Sequence, residues 1–400
     1  MTCEVVVMNK RGAALAADSA ITVGDGDKIY HHAQKLFPLA PATSVGIMLS
    51  GSPEIMGVPW EIIIKSYARQ LGDRRFDRLE EYARDFLRFV EGSTMLFPDS
   101  VQKNWFRILV ESYWRGQFMV PLRSGEKRQE KALPRTLWPA LKQLLLKDHA
   151  NWRKYSWMPA QGEDSSNVEG GKILSDYGAL LDKLEWEFFG THAPSREIRN
   201  ALRTTVKLMY DKRWFHPHDR SWIAFVGIGE AEPFPVLLEY QVGSIVAGRL
   251  RWAKTDQAEV NRANSAIVVP LAQRDAIDMF FRGIDPGLDA KLDDMLARSL
   301  YHGFAKKDRR YHRGKVEKIQ KEFRRLLEQD IDERYKAPLI ASVDALPQQG
   351  LARIAEALVR LTAFRARISI GQKETVDGET NVAVVSKGEG FIWSKRAARE

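Results

Sequence analysis

The sequence predicts an α+β protein. Strand-textured segments at residues 2–51, 221–270 and 381–393 are separated by two long blocks of helical periodicity, 53–220 and 273–364. Runs of strands followed by runs of helices suit segregated layers of sheet and helix rather than alternating βαβ units. The 400 residues are 44% hydrophobic and include 11 Trp, 18 Phe and 11 Tyr, enough apolar surface to exclude disorder for most of the chain. On length alone the chain has room for two or three cores or for one elaborated domain.

The elements follow in order. Glu4-Val5-Val6-Val7-Met8 is β-branched and apolar, Asn9-Lys10-Arg11-Gly12 is a turn signal, and Ala13–Ala17 returns as a second strand, so the chain opens with a hairpin. Lys35–Leu39 and Ser44–Leu49 read as a second hairpin, closed by Ser50-Gly51-Ser52. Pro53–Leu71, Arg78–Glu91, Trp138–His149 and Ile173–Phe189 carry apolar residues at helical spacing, with a polar loop at Gln161–Asn167. Ser221–Ile228, Val236–Tyr240, Ser244–Trp252 and Ser265–Val269 read as strands. Helices are expected at Gln273–Arg282, Leu288–Phe304, Lys306–Lys336 and Leu351–Phe364, and a closing hairpin at Asn381–Val385 and Gly390–Trp393.

Several classes are excluded or disfavoured. A single cysteine, Cys3, rules out a disulfide framework and a multi-cysteine metal site, and fits a reducing cytoplasm. No apolar run reaches the length of a membrane span, and Met1–Val7 carries Glu4 and no basic leader, so it is not a signal peptide. The net charge of +9 is spread over 61 basic and 52 acidic residues and reads as a solvated mixed surface. The basic run from Lys306 to Arg325 has no interleaved aromatic platform, so a solvated helix face is preferred to a nucleic-acid groove. His31-His32 and His216-Pro217-His218-Asp219 read as loops rather than as a metal site, which needs three or four convergent ligands. Trp105, Trp114, Trp138, Trp152 and Trp157 read as core, with a partner surface as the alternative.

The chemistry-bearing segment is the first. Thr2 is small enough for a methionine aminopeptidase to remove Met1, which leaves a hydroxyl beside a free α-amine. Such a threonine is its own nucleophile–base pair: Oγ attacks a carbonyl while the amine, with a pKa near 7.7–8.0, accepts its proton.

Thr2–Val7, Gly12–Ser19 with its Ala16-Ala17-Asp18-Ser19 step, the lysine strand Gln34-Lys35-Leu36-Phe37 and the bend Met48-Leu49-Ser50-Gly51 together resemble a mature proteasome β subunit or HslV-type peptidase, members of the N-terminal nucleophile (Ntn) hydrolases. The resemblance covers perhaps half to two-thirds of the chain in two blocks. It implies a four-layer αββα sandwich and a threonine protease needing no cofactor. It assigns Thr2 as nucleophile, Lys35 as the cation that lowers the pKa of the Thr2 hydroxyl and amine, Asp18 as the partner of Lys35, Gly51 as oxyanion donor and Ser369 as a supporting serine. It also implies a peptide or unfolded-protein substrate, a homo-oligomeric ring, an ATPase unfoldase and a cytoplasmic location.

The departures are specific. Ala366 stands where the family carries an aspartate, and Val268–Gln273 replaces its Gly-Ser-Gly turn, leaving Gln273, Asp275 or Thr362 as substitutes. The expected organisation is 2–91 and 221–400 as halves of the sandwich, the latter with a charged helical segment at 305–340, around a helical insertion at 92–220. Trimming to Cys3 would give a cysteine nucleophile, against the register to Asp18. The alternatives are a catalytically inactive scaffold or assembly module of the same fold, or a small-molecule amidase.

Overall fold

The computed structural model describes residues 3–23, 28–30, 34–123, 132–159, 162–191, 193–302, 309–368 and 379–396. The chain opens with the expected hairpin of β1 (Cys3–Asn9) and β2 (Gly12–Asp18), in which Glu4 faces Ala17 and Asn9 faces Gly12. β3 (Ile21–Val23) and β4 (Lys28–Tyr30) form a separate small ribbon. β5 (Leu36–Pro38) and β6 (Val45–Gly51) make the second hairpin, with Leu36 opposite Met48.

The helix expected from Pro53 starts later. Two short strands, β7 (Glu54–Ile55) and β8 (Val58–Pro59), precede α1 (Trp60–Leu71). Met56 and Gly57 take φ of 52° and 81°, the pair of positive values that closes a two-residue hairpin. α2 (Leu79–Gly92), α3 (Asp99–Trp114), α4 (Val120–Arg123) and α5 (Trp138–Trp152) follow. Ser165–Ser166, read as loop, is a short strand β9. The expected helix Ile173–Phe189 is two, α6 (Gly170–Asp176) and α7 (Gly178–Phe189). It breaks at Tyr177, whose ψ of 12° leaves the helical region and whose hydroxyl accepts the Ala247 N–H. α8 (Arg196–Asp211) completes this block.

β10 (Ser221–Gly227) leads into β11 (Val236–Val246) and β12 (Arg249–Glu259). The expected strand Ser244–Trp252 is therefore a hairpin corner, turned at Ala247 and Gly248 with φ of 51° and 74°. β13 (Ala266–Ala272), α9 (Asp275–Arg282), α10 (Pro286–His302), α11 (Arg309–Ile331), α12 (Ala337–Ala345), α13 (Gln348–Ile368), β14 (Thr380–Ser386) and β15 (Gly390–Lys395) complete the chain. Two large antiparallel sheets result, sheet 1 in the order β13-β1-β2-β14-β15 and sheet 2 in the order β5-β6-β10-β11-β12-β9.

Strand alternation decides the packing. Val6, Met8, Leu15 and Ala17 of sheet 1 meet Met48, Ala224, Val226 and Leu237 of sheet 2 in one buried cluster. The other face of sheet 1 presents Val5, Val7, Ala14 and Ala16 to Leu351, Ala355 and Val359 of α13, the small alanines letting the helix lie close. The other face of sheet 2 presents Ile47, Phe225 and Leu238 to Ile63, Tyr67 and Phe86 of α1 and α2. Each large apolar side chain so buried contributes about 1.5–3 kcal/mol.

Residues between α3 and α8 have a core of their own, including Phe106, Trp114, Leu141, Trp152, Phe189 and Tyr210, which touches the sheets at Val246. Trp114 and Trp152 are core as expected, whereas Trp157 is exposed beneath the Lys212 ammonium. α9, α10 and α11 are tied by Arg282 to Asp289 and Glu328, and by Arg324 to Asp289 and Asp293. Among the described residues no helix is long and apolar enough to cross a membrane.

One buried polar clamp holds the far end of sheet 1. Asn9 Nδ2 donates to the carbonyls of Val343 and Leu346, both at 2.9 Å, and its Oδ1 accepts from Arg11 N at 2.9 Å. Asn9→Ala leaves these groups unsatisfied in a dry site and is expected to cost about 2–4 kcal/mol in denaturant unfolding. A loss below about 1 kcal/mol would show the clamp to be incidental.

Candidate active site

The register of the first hairpin places Asp18 at the end of β2, one row beyond the Glu4–Ala17 pair and opposite Thr380 of β14. Asp18 Oδ1 accepts from the Cys3 N–H at 2.8 Å and from Lys35 Nζ at 2.8 Å, and Oδ2 accepts from the Ala20 N–H at 3.2 Å. All three neighbours are donors, the environment of a carboxylate.

Lys35 comes from the other sheet. It directly precedes β5, and its carbonyl accepts the Leu49 N–H at 2.9 Å, which fixes its backbone two residues before Gly51. Its side chain crosses to Asp18, and both residues are buried, 4% and 1% exposed. Burial pushes the Asp18 carboxyl upward, opposed by the Lys35 ammonium and by the N–H groups of Cys3 and Ala20.

Gly51 closes β6 opposite Ser221 with φ of 82°. A Cβ there would stand 2.7 Å from the Arg220 carbonyl and 2.9 Å from the Trp222 ring, so both conformation and space demand glycine. Asp18 also borders a cleft of about 330 Å³ with Val359, Ala363 and Phe364 of α13 and Thr380 of β14. Thr2 and Ser369 lie outside the described residues, as do His31 and His32.

The structure separates the substitutes named for the missing support. Ala366 is buried in the apolar cluster with Cys3. Thr362 is buried and already engaged, its hydroxyl donating to the Leu358 carbonyl at 3.1 Å and bonded with the Cys3 thiol. Asp275 is exposed at the start of α9, where its carbonyl accepts from Arg365. Gln273, one residue past the Ala272–Cys3 pair, keeps a buried Oε1 with no hydrogen-bond partner. Burial pushes the Cys3 thiol up to about 12, so it is no ready thiolate.

Glu4 was missed as a site residue. It is 1% exposed, and burial pushes its carboxyl up to about 8; Lys35 pulls it down while Asp18 and Glu239 push it further up. The signal in the sequence was an acid at an inward position of an otherwise apolar strand.

His216 and His218 stack with ring centroids 5.4 Å apart, and burial holds His216 down near 4. Among the described residues no three His, Cys, Asp or Glu side chains are placed to hold a metal.

No family model and no curated protein matches this chain. It is similar to solved structures titled Anbu. One is an Anbu (Gly-1) mutant from Hyphomicrobium sp. strain MC1, with 8% identity, a TM-score of 0.30 and coverage of 98% of this chain and 85% of that one. Another is Anbu from the same strain, with 9% identity, a TM-score of 0.27 and the same coverage. A third is Anbu (ancestral beta-subunit) from Yersinia bercovieri, with 8% identity, a TM-score of 0.29 and coverage of 98% and 86%.

The expected membership in the proteasome β-subunit and HslV family is thereby corrected, since these neighbours belong to a distinct family. The resemblance rested on spacings that fix a hairpin and an ion pair, and those do not fix a family. At such TM-scores the likeness carries no argument about activity, which rests on the atoms above.

Removing one partner of the buried pair leaves the other charge uncompensated. Lys35→Met is expected to lose about 3–5 kcal/mol in denaturant unfolding, and adding Asp18→Asn to recover more than half of it. A cost under about 1 kcal/mol for Lys35→Met, the range of an exposed pair, would contradict the buried geometry.

Proposed function

We propose that this chain is an N-terminal threonine hydrolase that cleaves a peptide or other amide bond. The observation that carries the reading is the buried Lys35 ammonium on Asp18, itself bonded to the N–H of Cys3, the residue next to Thr2. With Met1 removed, Thr2 Oγ attacks the scissile carbonyl and its α-amine takes the proton, later passing it to the leaving amine. The product on the chain is an ester on Thr2, which water opens with the same amine as base. Lys35 favours the developing alkoxide, and the Gly51 N–H serves as donor to the oxyanion. This chemistry uses no cofactor.

The layout supporting it is a four-layer αββα sandwich formed by 2–91 and 221–400, with 92–220 as an insertion; the shared cluster between the sheets and the separate core of α3–α8 favour that division. A second reading, an inactive scaffold of the same architecture, is favoured by Ala366, buried among apolar side chains where a supporting acid would otherwise stand.

Fluorogenic peptides distinguish the two. The Met1-processed chain is expected to turn over, and Thr2→Ala to lose about three orders of magnitude or more, the scale of losing a nucleophile. Equal turnover in both, or intact Met1 by mass spectrometry in an active preparation, would remove the hydrolase reading.

A further inference from the structure

The His216-Pro217-His218-Asp219 run and Trp105 of α3 meet at one carboxylate. Asp219 is 8% exposed and lies between α8 and β10. Its Oδ1 accepts from Trp105 Nε1 at 2.8 Å, and its Oδ2 accepts from the Ser244 N–H of β11 at 2.9 Å. The turn that presents it is locked from within. The Asp219 N–H donates to the His216 carbonyl at 2.9 Å, and His216 Nδ1 accepts from the His218 N–H at 3.2 Å. Burial disfavours the imidazolium of His216, so that nitrogen keeps its lone pair for the bond.

The chain that leaves this turn carries the bend at Gly51. The Ser52 N–H donates to the Arg220 carbonyl at 2.9 Å. Ser221 Oγ donates to the Ser52 carbonyl at 2.9 Å and accepts from Trp60 Nε1 at 2.8 Å. Gly51 has no slack, because the Arg220 carbonyl and the Trp222 ring fill the space a Cβ would take. The ladders of β10 with β6 and β11 begin only at Ser221. Arg220 stands outside them, next to Asp219. The direction of the Gly51 N–H is set against Arg220 and Ser221, and Arg220 is held in place through Asp219.

A buried carboxylate is a costly way to join a helix to a sheet; a neutral side chain would do so with a smaller desolvation penalty. What the charge adds is shorter and stronger hydrogen bonds. We propose that Asp219 is a positioning residue for the oxyanion site: it braces the backbone at Arg220 and Ser221 against α3 and so fixes the Gly51 N–H, which gives the helical block at 92–220 a part in the chemistry. The inference rests on the hydrolase reading for the use of that N–H, while the brace itself does not.

The brace has a pH dependence of definite sign. Burial pushes the Asp219 carboxyl up to about 6, against the bonds from Ser244 and Trp105 and the pull of Arg251. It is ionised at neutral pH and takes up a proton as pH falls through that value, which weakens both bonds. The other titratable or charged groups around it are Arg251 of β12, Tyr210 of α8, and Arg220, His216 and His218 of its own turn.

The test reads the Gly51 amide directly. Protein made in a cell-free system with carbonyl-13C serine and 15N glycine gives two linked amide signals, from Ser50-Gly51 and Ser124-Gly125, and Ser124→Ala deletes the second. The Gly51 signal is expected to shift with a midpoint near 6, a transition that vanishes in Asp219→Asn and persists in His218→Gln. Trp105→Phe keeps a ring and loses the donor, and keeps the test open should Asp219→Asn fail to fold. It is expected to move the Gly51 signal at neutral pH. It should also lower kcat on a fluorogenic peptide by about tenfold or more with KM within about twofold, since a donor displaced by about 1 Å serves the transition state poorly. Asn9→Ala, a lesion at the far end of sheet 1, should leave the signal and kcat unchanged. A Gly51 signal indifferent both to pH near 6 and to Trp105→Phe, or a kcat loss matched by Asn9→Ala, would overturn the brace. A Gly51 signal that responds in a protein without turnover keeps the brace and removes the hydrolase; turnover with an indifferent signal does the reverse.

Discussion

The ion pair between Lys35 and Asp18 is the constraint on which the candidate site depends. Burying an ammonium and a carboxylate costs several kcal/mol per ion unless geometry and extra hydrogen bonds offset it. Here the offset is local: two backbone N–H groups share the carboxylate with the ammonium. The pair is also long-range in the fold, because Lys35 is anchored by its carbonyl to β6 of sheet 2 while Asp18 ends β2 of sheet 1. One interaction therefore fixes how the ends of the two sheets meet, and places a cation on the carboxylate that also accepts the Cys3 N–H.

Around that pair the chain arranges apolar walls. Cys3, Val5 and Val7 face α13, and Val6 and Met8 face sheet 2, so Glu4 is the only polar inward side chain of β1 short of Asn9. A low-dielectric surround strengthens each charge interaction and makes each unpaired oxygen costly. Glu4 Oε1, Ser19 Oγ and Gln273 Oε1 bear that cost, and Thr362, already bonded, does not. Ala272 adds strain at the same place: its φ of 60° is a backbone state that alanine enters at a cost of about 1–2 kcal/mol.

Much of the fold was legible in the sequence, for physical reasons. The first, second and last hairpins announced themselves through alternation and turn residues, and the ladder pairs them as read. Strand and helix ends were less legible. Met56-Gly57 and Ala247-Gly248 each turn on a non-glycine residue with positive φ, which composition does not reveal. The split at Tyr177 depends on a hydroxyl reaching a backbone group 70 positions away. In the site, the spacing of Asp18 and Lys35 was read and the structure joins them, while the family named from that spacing was wrong. Glu4 went unread because its significance lies in burial, which one strand's pattern only hints at.

Covalent capture of the first residue tests the central claim most directly. A threonine-directed epoxyketone, which needs a hydroxyl and its own free amine on one residue, is added to the Met1-processed protein, and the adduct is located by mass spectrometry. The account predicts stoichiometric labelling at Thr2 that is lost when Lys35 no longer reaches Asp18. A folded, Met1-processed protein that takes up no label, or labelling that is indifferent to Lys35, would contradict it.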